Sequence, residues 1–363
     1  MAFLHPGQPA RKGLHWVAWL YGLAIRFRLW CYRRGWIATT RLPCRVVSVG
    51  NLTVGGTGKT PLVILLVQRL LAHGQRVAIL SRGYKRTSTA PYLLVSDGSR
   101  IVAGPSESGD EPFLMAQRCP QAVVAVGADR VALGRWVLEQ HPVDCIVLDD
   151  GFQHRALHRD VDLVLLDATD VGGLDALLPA GRLREPLNEL DRASAVVITR
   201  ADSSADVEAI RSRLRTVACR PEDVMEVVFR PESFVPMISG EEHVIDWGHG
   251  KKAWLVSGIG NSQSFRRSAE SIGIEILGET AFEDHHGYSP SDIERIRATV
   301  QASGSDIVLT TEKDGGKLSA LLTTDDPWWM LRLGTEIVRG EERLFQLIDG
   351  PSSDGGPPLG TYA

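Results

Sequence analysis

The 363-residue sequence predicts an α/β protein, in which a mostly parallel sheet with helices on both faces is joined by a β linker to a smaller α/β lobe. Short runs rich in Val and Ile alternate with helical patterns from residue 46 to about residue 200. A glycine-rich turn connects the first of these strands to a helix. A second set of strands and helices begins at residue 253, after an extended segment at 225–230 bounded by Pro231 and Pro236.

The first 40 residues predict an N-terminal arm with an amphipathic helix. Residues 14–25 are apolar, but a membrane span needs about 20 such residues. Tryptophans and tyrosines are interleaved with Arg26, Arg28, Arg33 and Arg34, a pattern typical of helices that lie at a membrane interface. We therefore expect residues 14–36 to contact an anionic membrane surface. A core helix packed on the next domain is the alternative; nucleic-acid binding is disfavoured because the apolar run is long and uninterrupted.

The charge distribution is consistent with an anionic partner at this end. No Asp or Glu occurs before Asp97, whereas residues 1–96 contain 14 Lys and Arg, although the net charge of the whole chain is -4. A basic end beside an acidic body favours an anionic surface or substrate. The five cysteines are scattered and form no C-x-x-C pair, which indicates reduced thiols in a cytosolic compartment rather than a zinc site. No secretory signal with a cleavage site is evident.

The turn after the first strand predicts a phosphate-binding loop. Its residues are Thr53, Val54, Gly55, Gly56, Thr57, Gly58, Lys59 and Thr60. Backbone N–H groups and the helix N-terminus favour phosphate, Lys59 can reach the β- and γ-phosphates, and the Thr60 hydroxyl can bind Mg²⁺. The sequence departs from the G-x-x-x-x-G-K-[ST] pattern because Thr53 replaces the first glycine. This arrangement indicates a P-loop nucleotide-binding domain, and the alternative is a glycine-rich turn with an incidental lysine.

Polar residues follow several of the predicted strands, where ligands of open α/β sheets gather. Arg82 and Tyr84 follow the strand at 77–80 and face either an anionic substrate or solvent. Asp110 and Glu111 begin a helix, as capping acids or as functional groups near the P-loop. Asp149 ends a buried strand, the usual position of the carboxylate that holds Mg²⁺ in P-loop proteins.

Two more loops contain candidate residues. Arginines at 182 and 184 lie in the Pro/Gly-containing loop 179–186, where one of them can stabilise a transferring phosphoryl group or form a surface salt bridge. In the second lobe, Asp284, His285 and His286 precede a helix. Adjacent histidines without further spaced ligands are weak support for a metal site, so we favour a single histidine that orients or deprotonates a carboxylate partner.

These motifs resemble, in the same order, those of the tetraacyldisaccharide 4'-kinases of lipid A biosynthesis. The resemblance covers residues from about 12 to 345 and includes the loop variant with Thr53. The motifs that carry it are 49–60, Ser81 to Tyr84, Gly109 to Pro112, Asp149 to Arg155, Gly181 to Pro186, Asp284 to His286 and Thr311 to Asp314. The segment Asp149 to Arg155 is the most specific of them.

The resemblance implies transfer of the ATP γ-phosphate to the 4'-hydroxyl of a tetraacylated glucosamine disaccharide 1-phosphate, with Mg²⁺. It also implies a peripheral position at the cytoplasmic face of the bacterial inner membrane. The expected parts are the arm 1–40, the P-loop kinase domain 41–224, the linker and smaller lobe 225–350, and a disordered tail 351–363.

The resemblance also implies residue roles. Lys59 and Thr60 would bind phosphate and Mg²⁺, with Glu111 and Asp149 completing the Mg²⁺ shell. Asp110 would act as the base on the sugar hydroxyl, assisted by His285, and Arg184, or alternatively Arg182, would stabilise the transferring group. The expected substrate-binding residues are Arg82, Tyr84, Asp150, Gln153 and His154.

The alternatives are a membrane-associated P-loop GTPase or ATPase switch and a scaffold with a degenerate nucleotide site. Thr199-Arg200-Ala201-Asp202 faintly resembles a guanine-reading motif, although Arg stands where that motif has Lys. The intact Lys59, Asp110 and Asp149 disfavour a scaffold.

Overall fold

The computed structural model describes residues 12–217, 220–238, 240–324 and 326–350. The predicted disordered tail 351–363 and the first eleven residues of the arm lie outside the described residues. The helices are α1 (His15–Arg33), α2 (Lys59–Ala72), α3 (Pro105–Ser108), α4 (Asp110–Arg118), α5 (Arg130–Gln140), α6 (Ser204–Leu214), α7 (Ser262–Glu270), α8 (Pro290–Ser303), α9 (Glu312–Leu318) and α10 (Glu341–Asp349).

Thirteen strands of the described chain form one sheet. They are β1 (Arg45–Asn51), β2 (Val77–Ser81), β3 (Tyr92–Asp97), β4 (Val123–Gly127), β5 (Cys145–Asp149), β6 (Val161–Asp167), β7 (Ala195–Thr199), β8 (Val224–Pro236), β9 (His243–Val244), β10 (Lys252–Ser257), β11 (Glu275–Ala281), β12 (Ile307–Thr311) and β13 (Trp328–Arg339). The order is β11-β10-β12-β13-β8-β7-β6-β1-β5-β2-β4-β3, with β9 beside β8. The antiparallel pairs are β3 with β4, β8 with β13 and β8 with β9.

Alternate residues of the central strands pack into opposite hydrophobic layers. Val47 and Ile79 contribute to a layer with α2 and α4, whereas Val46 and Leu80 contribute to a layer with α5. Because successive side chains of a strand point to opposite faces, this requires helices on both sides of the sheet. The predicted α/β architecture is therefore confirmed.

The β linker is a long strand that continues the sheet. β8 pairs with β7 in parallel through its first residues and with β13 in antiparallel fashion along most of its length. The sequence predicted only an extended segment ending at Pro231, but β8 continues through this proline. A register shift between Arg332 and Leu333 lies opposite Pro231, and proline is tolerated at such irregularities because no ladder hydrogen bond is needed there.

The last helix returns to the first half of the chain. Leu344 and Ile348 of α10 are fully buried in the layer formed by α2 and the central strands. Arg69 of α2 forms an ion pair with Asp349 at 2.6 Å. The boundary between the predicted parts 41–224 and 225–350 stays a prediction, and α10 contacts the core of the first part.

The helix of the arm, α1, packs on the protein with one side. Ala18, Gly22 and Leu29 are buried. Large apolar side chains project on another side and are exposed: Trp16, Trp19, Leu20, Leu23, Phe27 and Trp30. No helix within the described residues is long and apolar enough to cross a membrane.

Candidate active site

The P-loop joins β1 to α2 at the carboxyl edge of the parallel strands. Gly55 and Gly58 have φ angles of 117° and 81°, which strain any residue with a Cβ. Loop carbonyls accept hydrogen bonds from side chains behind the loop: Asn51 Nδ2 donates to Thr53 at 2.7 Å, and Thr199 Oγ1 donates to Thr57 at 2.9 Å. These hydrogen bonds fix the orientation of the loop carbonyls. The backbone N–H groups of residues 55–58, in contrast, donate to no group within the described chain. This is the arrangement an anion requires.

Lys59, Asp150 and Arg184 form a row of alternating charge beside the loop. Lys59 Nζ lies 3.5 Å from Asp150 Oδ1, and Arg184 Nη1 lies 2.9 Å from Asp150 Oδ2. Burial raises the pKa of Asp150, but the charges of Lys59 and Arg184 outweigh it and lower the pKa to about 2. Asp150, predicted to bind substrate, therefore holds the two cations that phosphate would contact.

Asp149 lies at the end of β5, next to β1 and β2. Its Oδ2 accepts a hydrogen bond from Ser81 Oγ at 2.8 Å, whereas its buried Oδ1 has no hydrogen-bond partner in the described residues. Burial and the negative charge of Glu111 raise the pKa of Asp149. The negative charge of Glu111 therefore acts on Asp149, as expected if both acids belong to one site.

These acids fit a magnesium ion. A buried carboxylate oxygen without a donor, repelled by the charge of a second carboxylate, gains a partner when a divalent cation binds. The described residues contain no cluster of three or more His, Cys, Asp or Glu side chains that would hold a metal alone. A magnesium ion here would use Thr60, Glu111 and Asp149 and would complete its shell with phosphate oxygens and water, as Mg²⁺ sites commonly do.

Asp110, the first residue of α4, contacts side chains from the C-terminal half of the chain. Its Oδ2 lies 3.0 Å from His285 Nδ1 and 3.1 Å from Lys317 Nζ. Burial raises the pKa of Asp110, but the hydrogen bond from His285 and the charge of Lys317 lower it below its ordinary value. The ring of Tyr84 lies edge-on to His285, with centroids 5.5 Å apart. The structure thus brings Asp110 and His285 together, and it adds Lys317, which the sequence did not single out.

The two candidate arginines of the loop 179–186 have different surroundings. Arg182 is 4% exposed, forms an ion pair with Asp170 at 3.1 Å, and donates to the carbonyl of Val54. Arg184 contacts Asp150 and donates to Gln153 Oε1 at 3.2 Å. Arg184 therefore lies beside Lys59 and Asp150, whereas Arg182 supports the P-loop from behind.

The remaining predicted substrate residues lie around the same edge. Arg82 and Tyr84 are exposed after β2. Gln153 Nε2 donates to the carbonyl of Asn51 at 2.8 Å. His154 Nε2 is buried without a partner among the described residues, and burial lowers the pKa of this histidine to about 4. The sequence missed Arg130, the buried first residue of α5, whose guanidinium interacts electrostatically with Asp149 and Asp150.

Comparison with known proteins agrees with this geometry. The family model described as tetraacyldisaccharide-1-P 4'-kinase matches residues 10–351. A tetraacyldisaccharide 4'-kinase of Syntrophus aciditrophicus is 39% identical over 308 residues, covering 83% of this chain and 82% of the relative. One from Anaeromyxobacter sp. (strain Fw109-5) is 37% identical over 334 residues, covering 92% of this chain and 89% of the relative.

The chain belongs to the tetraacyldisaccharide 4'-kinase family. A crystal structure of LpxK from Aquifex aeolicus, described as an "apo" form in complex with ATP, is similar to it with a TM-score of 0.76 and 34% identity. The similarity covers 93% of this chain and 98% of that one. The family predicted from the sequence motifs is confirmed, and so is the fold class.

In this kinase the helix of the arm is attached to the candidate site. Tyr21 Oη donates to the carbonyl of Arg184 at 2.8 Å, and Arg28 Nη2 donates to the carbonyl of Gln153 at 3.0 Å. The sequence placed these residues in the arm alone. The contacts were not predictable because they join positions more than a hundred residues apart.

Residues 199–202, which faintly resemble a guanine-binding motif, contact the P-loop and β8 in this kinase. Thr199 Oγ1 and Arg200 Nη1 donate to the P-loop carbonyls of Thr57 and Gly56. Asp202 forms an ion pair with Arg230 at 2.8 Å. The contacts of Thr199 and Arg200 hold the loop, and none of these contacts supports the GTPase alternative.

Proposed function

We propose that this chain transfers the γ-phosphate of ATP to the 4'-hydroxyl of a tetraacyldisaccharide 1-phosphate and so forms the bis-phosphorylated lipid A precursor. One observation supports this most strongly. Lys59 lies beside Asp150 in the strand-to-helix turn, and the charge of Glu111 acts on Asp149. The Asp110 carboxylate is in contact with His285. Phosphoryl transfer requires this combination of anion binding, charge neutralisation and a proton acceptor.

The proposed roles follow from the contacts. The amide groups of the loop 53–60 and Lys59 bind the phosphates. Arg184 stabilises the negative charge of the transferring group, a role supported by its position against Asp150, which also contacts Lys59. Mg²⁺, held by Thr60, Glu111 and Asp149, would neutralise phosphate charge when bound.

Asp110 is proposed to accept the proton of the sugar hydroxyl. His285 holds its carboxylate through Oδ2 at 3.0 Å. Because His285 belongs to the second lobe and Asp110 to the first, their contact forms only when the lobes meet, which limits hydrolysis of ATP without acceptor. Arg82, Tyr84, Gln153 and His154 surround this edge and are proposed to contact the substrate.

The exposed apolar side of α1 is proposed to lie in the membrane interface, at the cytoplasmic face of the bacterial inner membrane. The acylated substrate resides in a bilayer, and Trp and Tyr side chains favour the headgroup level. The hydrogen bonds from Tyr21 and Arg28 place this helix beside the loops that carry Arg184 and Gln153.

The assignment is tested by supplying γ-labelled ATP and a tetraacyldisaccharide 1-phosphate to the wild-type protein and to Asp110→Ala. We expect label on the sugar with the wild type and a turnover about 10²- to 10⁴-fold lower with the variant, the range for loss of a general base. Asp246→Ala, at an exposed aspartate of the second lobe, is the matched control. Absence of label on the sugar with the wild type would refute the assignment, and competition by GTP in preference to ATP would favour the switch.

His285 has its own test. His285→Ala should strongly reduce lipid phosphorylation while leaving the affinity for ATP unchanged, because His285 contacts Asp110 and no residue of the P-loop. Nucleotide binding is measured by titration calorimetry. Loss of ATP binding in this variant would contradict the proposed role.

A further inference from the structure

Lys317, at the end of α9, lies against the carboxylate of Asp110. We propose that Lys317 is a positioning residue for the reaction: it holds the Asp110 carboxylate by one oxygen so that the other faces the acceptor hydroxyl. This inference rests on the proposed function, in which Asp110 is the proton acceptor.

The geometry of the carboxylate supports this role. Lys317 Nζ and His285 Nδ1 both contact the same oxygen of Asp110, Oδ2, at 3.1 Å and 3.0 Å. The side chains of Lys317 and Asp110 are 12% and 10% exposed. Within the described chain, Oδ1 accepts no hydrogen bond. Two donors on one oxygen restrict rotation of the carboxylate and leave the second oxygen available to a ligand.

Lys317 supplies an ammonium group beside Asp110, whereas the contacts of His285 are divided among several groups. His285 Nδ1 contacts Asp110, and its Nε2 lies 3.3 Å from Lys313 Nζ and 3.7 Å from Asp284 Oδ2. The ion pair of Lys317 with Asp110 at 3.1 Å therefore adds a positive charge that does not depend on the tautomer of His285.

Lys317 is itself held in place by α9. Its Nζ lies 3.4 Å from Asp314 Oδ1. Asp314 is fully buried, and its Oδ2 accepts hydrogen bonds from the amide of Gly258 at 2.9 Å and from Thr311 Oγ1 at 2.7 Å. A lysine fixed in this way loses little freedom when it pairs, unlike a lysine on an open surface.

The main alternative is that Lys317 only helps to hold α4 against α9. These two helices are also joined by an ion pair at their opposite ends. Arg118, the last residue of α4, forms an ion pair with Glu312, the first residue of α9, at 2.9 Å. Between the two ion pairs, Phe113 packs over Gly316. Arg118 thus tethers the same pair of helices without touching Asp110, and it is the matched control.

The experiment compares Lys317→Gln, Lys317→Arg and Arg118→Gln in the lipid phosphorylation assay. Misplacement of a reacting group by about 1 Å costs about 10²-fold, so we expect kcat of Lys317→Gln to fall by about ten- to a hundredfold with little change in KM for ATP. Lys317→Arg, which keeps the charge, should recover part of this loss. Arg118→Gln should stay close to the wild-type kcat. Equal losses in Lys317→Gln and Arg118→Gln would overturn the proposal.

A double-mutant cycle with Asp110→Asn separates this inference from the proposed function. If Lys317 acts through Asp110, Lys317→Gln should cause no further loss in the Asp110→Asn background, whereas independent effects would multiply. A multiplied loss would overturn the role of Lys317 alone. Wild-type activity in Asp110→Asn itself would overturn the role of Asp110. Thermal unfolding of each variant identifies any loss that comes from misfolding.

Discussion

At the scale of single residues, the two arginines of the loop 179–186 have different surroundings and different expected roles. Arg182 and Arg184 are two positions apart, but one is buried against Asp170 and the other lies at the row formed with Asp150 and Lys59. Side chains two positions apart in an extended segment project to the same side. The sequence pattern therefore could not show that the two arginines have different partners. Their contacts in the folded chain separate them instead, since Arg182 contacts Val54 and Arg184 contacts Gln153.

The first prediction concerns these two arginines. Arg182→Ala should reduce the free energy of unfolding by about 3 to 5 kcal/mol, because it breaks a buried ion pair by removing one of its two members. Arg184→Ala should leave stability near the wild type and lower kcat by about 10²- to 10³-fold, as removal of a group that stabilises developing charge does. Urea unfolding and the kinase assay measure the two effects. Lost turnover with intact stability in Arg182→Ala would reverse the assignment.

The second prediction concerns pH. Burial lowers the pKa of His154 from 6.5 to about 4 in the folded protein. The unfolded chain therefore binds a proton that the folded chain does not, and stability falls as the pH decreases from about 6.5 to about 4. His154→Gln should make this decrease shallower. Urea unfolding at several pH values measures it.

The control for His154 is internal. Above about pH 7.5, where the histidine is neutral in both states, the difference between variant and wild type should be independent of pH. An unchanged slope between pH 6.5 and pH 4 in the variant would show that His154 does not contribute to it.

At the scale of elements, α1 combines two sides with opposite functions. One side is docked through Tyr21, Arg28 and Arg33, which bond to Arg184, Gln153 and Glu189. The other side exposes Trp16 and Phe27 by 68% and 62% of their surfaces. Contiguous exposed aromatic groups on a docked helix indicate an interaction surface. Arg26 and Arg34 make no ion pair within the described residues and are the arginines available to anionic lipid.

The third prediction follows from this division. Trp16→Ser with Trp19→Ser should weaken binding to all vesicles, and Arg26→Gln with Arg34→Gln should weaken binding to anionic vesicles by about 1 kcal/mol per charge. Arg28 and Arg33 are kept because their removal would loosen the helix. Co-sedimentation with anionic and with neutral vesicles measures binding. Val244→Ser, at an exposed apolar residue of β9, is the control, and unchanged binding in both double variants would exclude α1 from the membrane contact.

At the scale of the whole molecule, the chain closes on itself through α10. Leu344 and Ile348 are fully buried against α2, almost three hundred residues earlier in the chain, and Arg45 donates to the carbonyl of Leu347. The helix that carries the P-loop lysine therefore has part of its hydrophobic support supplied by the C-terminal end of the second half.

The fourth prediction is that the two halves are not independent in stability. Leu344→Ala should cost about 2 to 5 kcal/mol, the range for a large buried residue replaced by alanine. It should also increase hydrogen exchange in α2. Val338→Ala, at an exposed position of β13, should stay within about 0.5 kcal/mol of the wild type. If Leu344→Ala leaves hydrogen exchange in α2 unchanged, α10 does not stabilise the P-loop helix. The parts on either side of the predicted boundary at 224/225 would then be independent in their free energy of unfolding.

Local patterns were sufficient for much of the architecture. The apolar runs of β1, β2, β5 and β7 predicted strands because each is short, β-branched and bounded by turn residues. The edge strand β3 was missed, since Tyr92 to Asp97 pairs on one side only and carries a weaker apolar pattern. β8 was predicted too short because Pro231 reads as a strand end, although a register shift accommodates it.

By itself, the sequence indicated the P-loop, because three glycines, Lys59 and Thr60 act through backbone conformation and nearest neighbours. The order of seven motifs along the chain, with Asp149 to Arg155 the most specific, indicated the family. The family resemblance implied that Asp110 acts with His285, but only the tertiary structure gave their contact and added Lys317 to it. Asp110 contacts His285 and Lys317, which are 175 and 207 residues away in the sequence. The helix and strand periodicity of the sequence gives no information about contacts over such distances. Long-range pairing depends on how the strands order in the sheet and how α4 packs on α9, so it becomes visible only when the whole chain is folded.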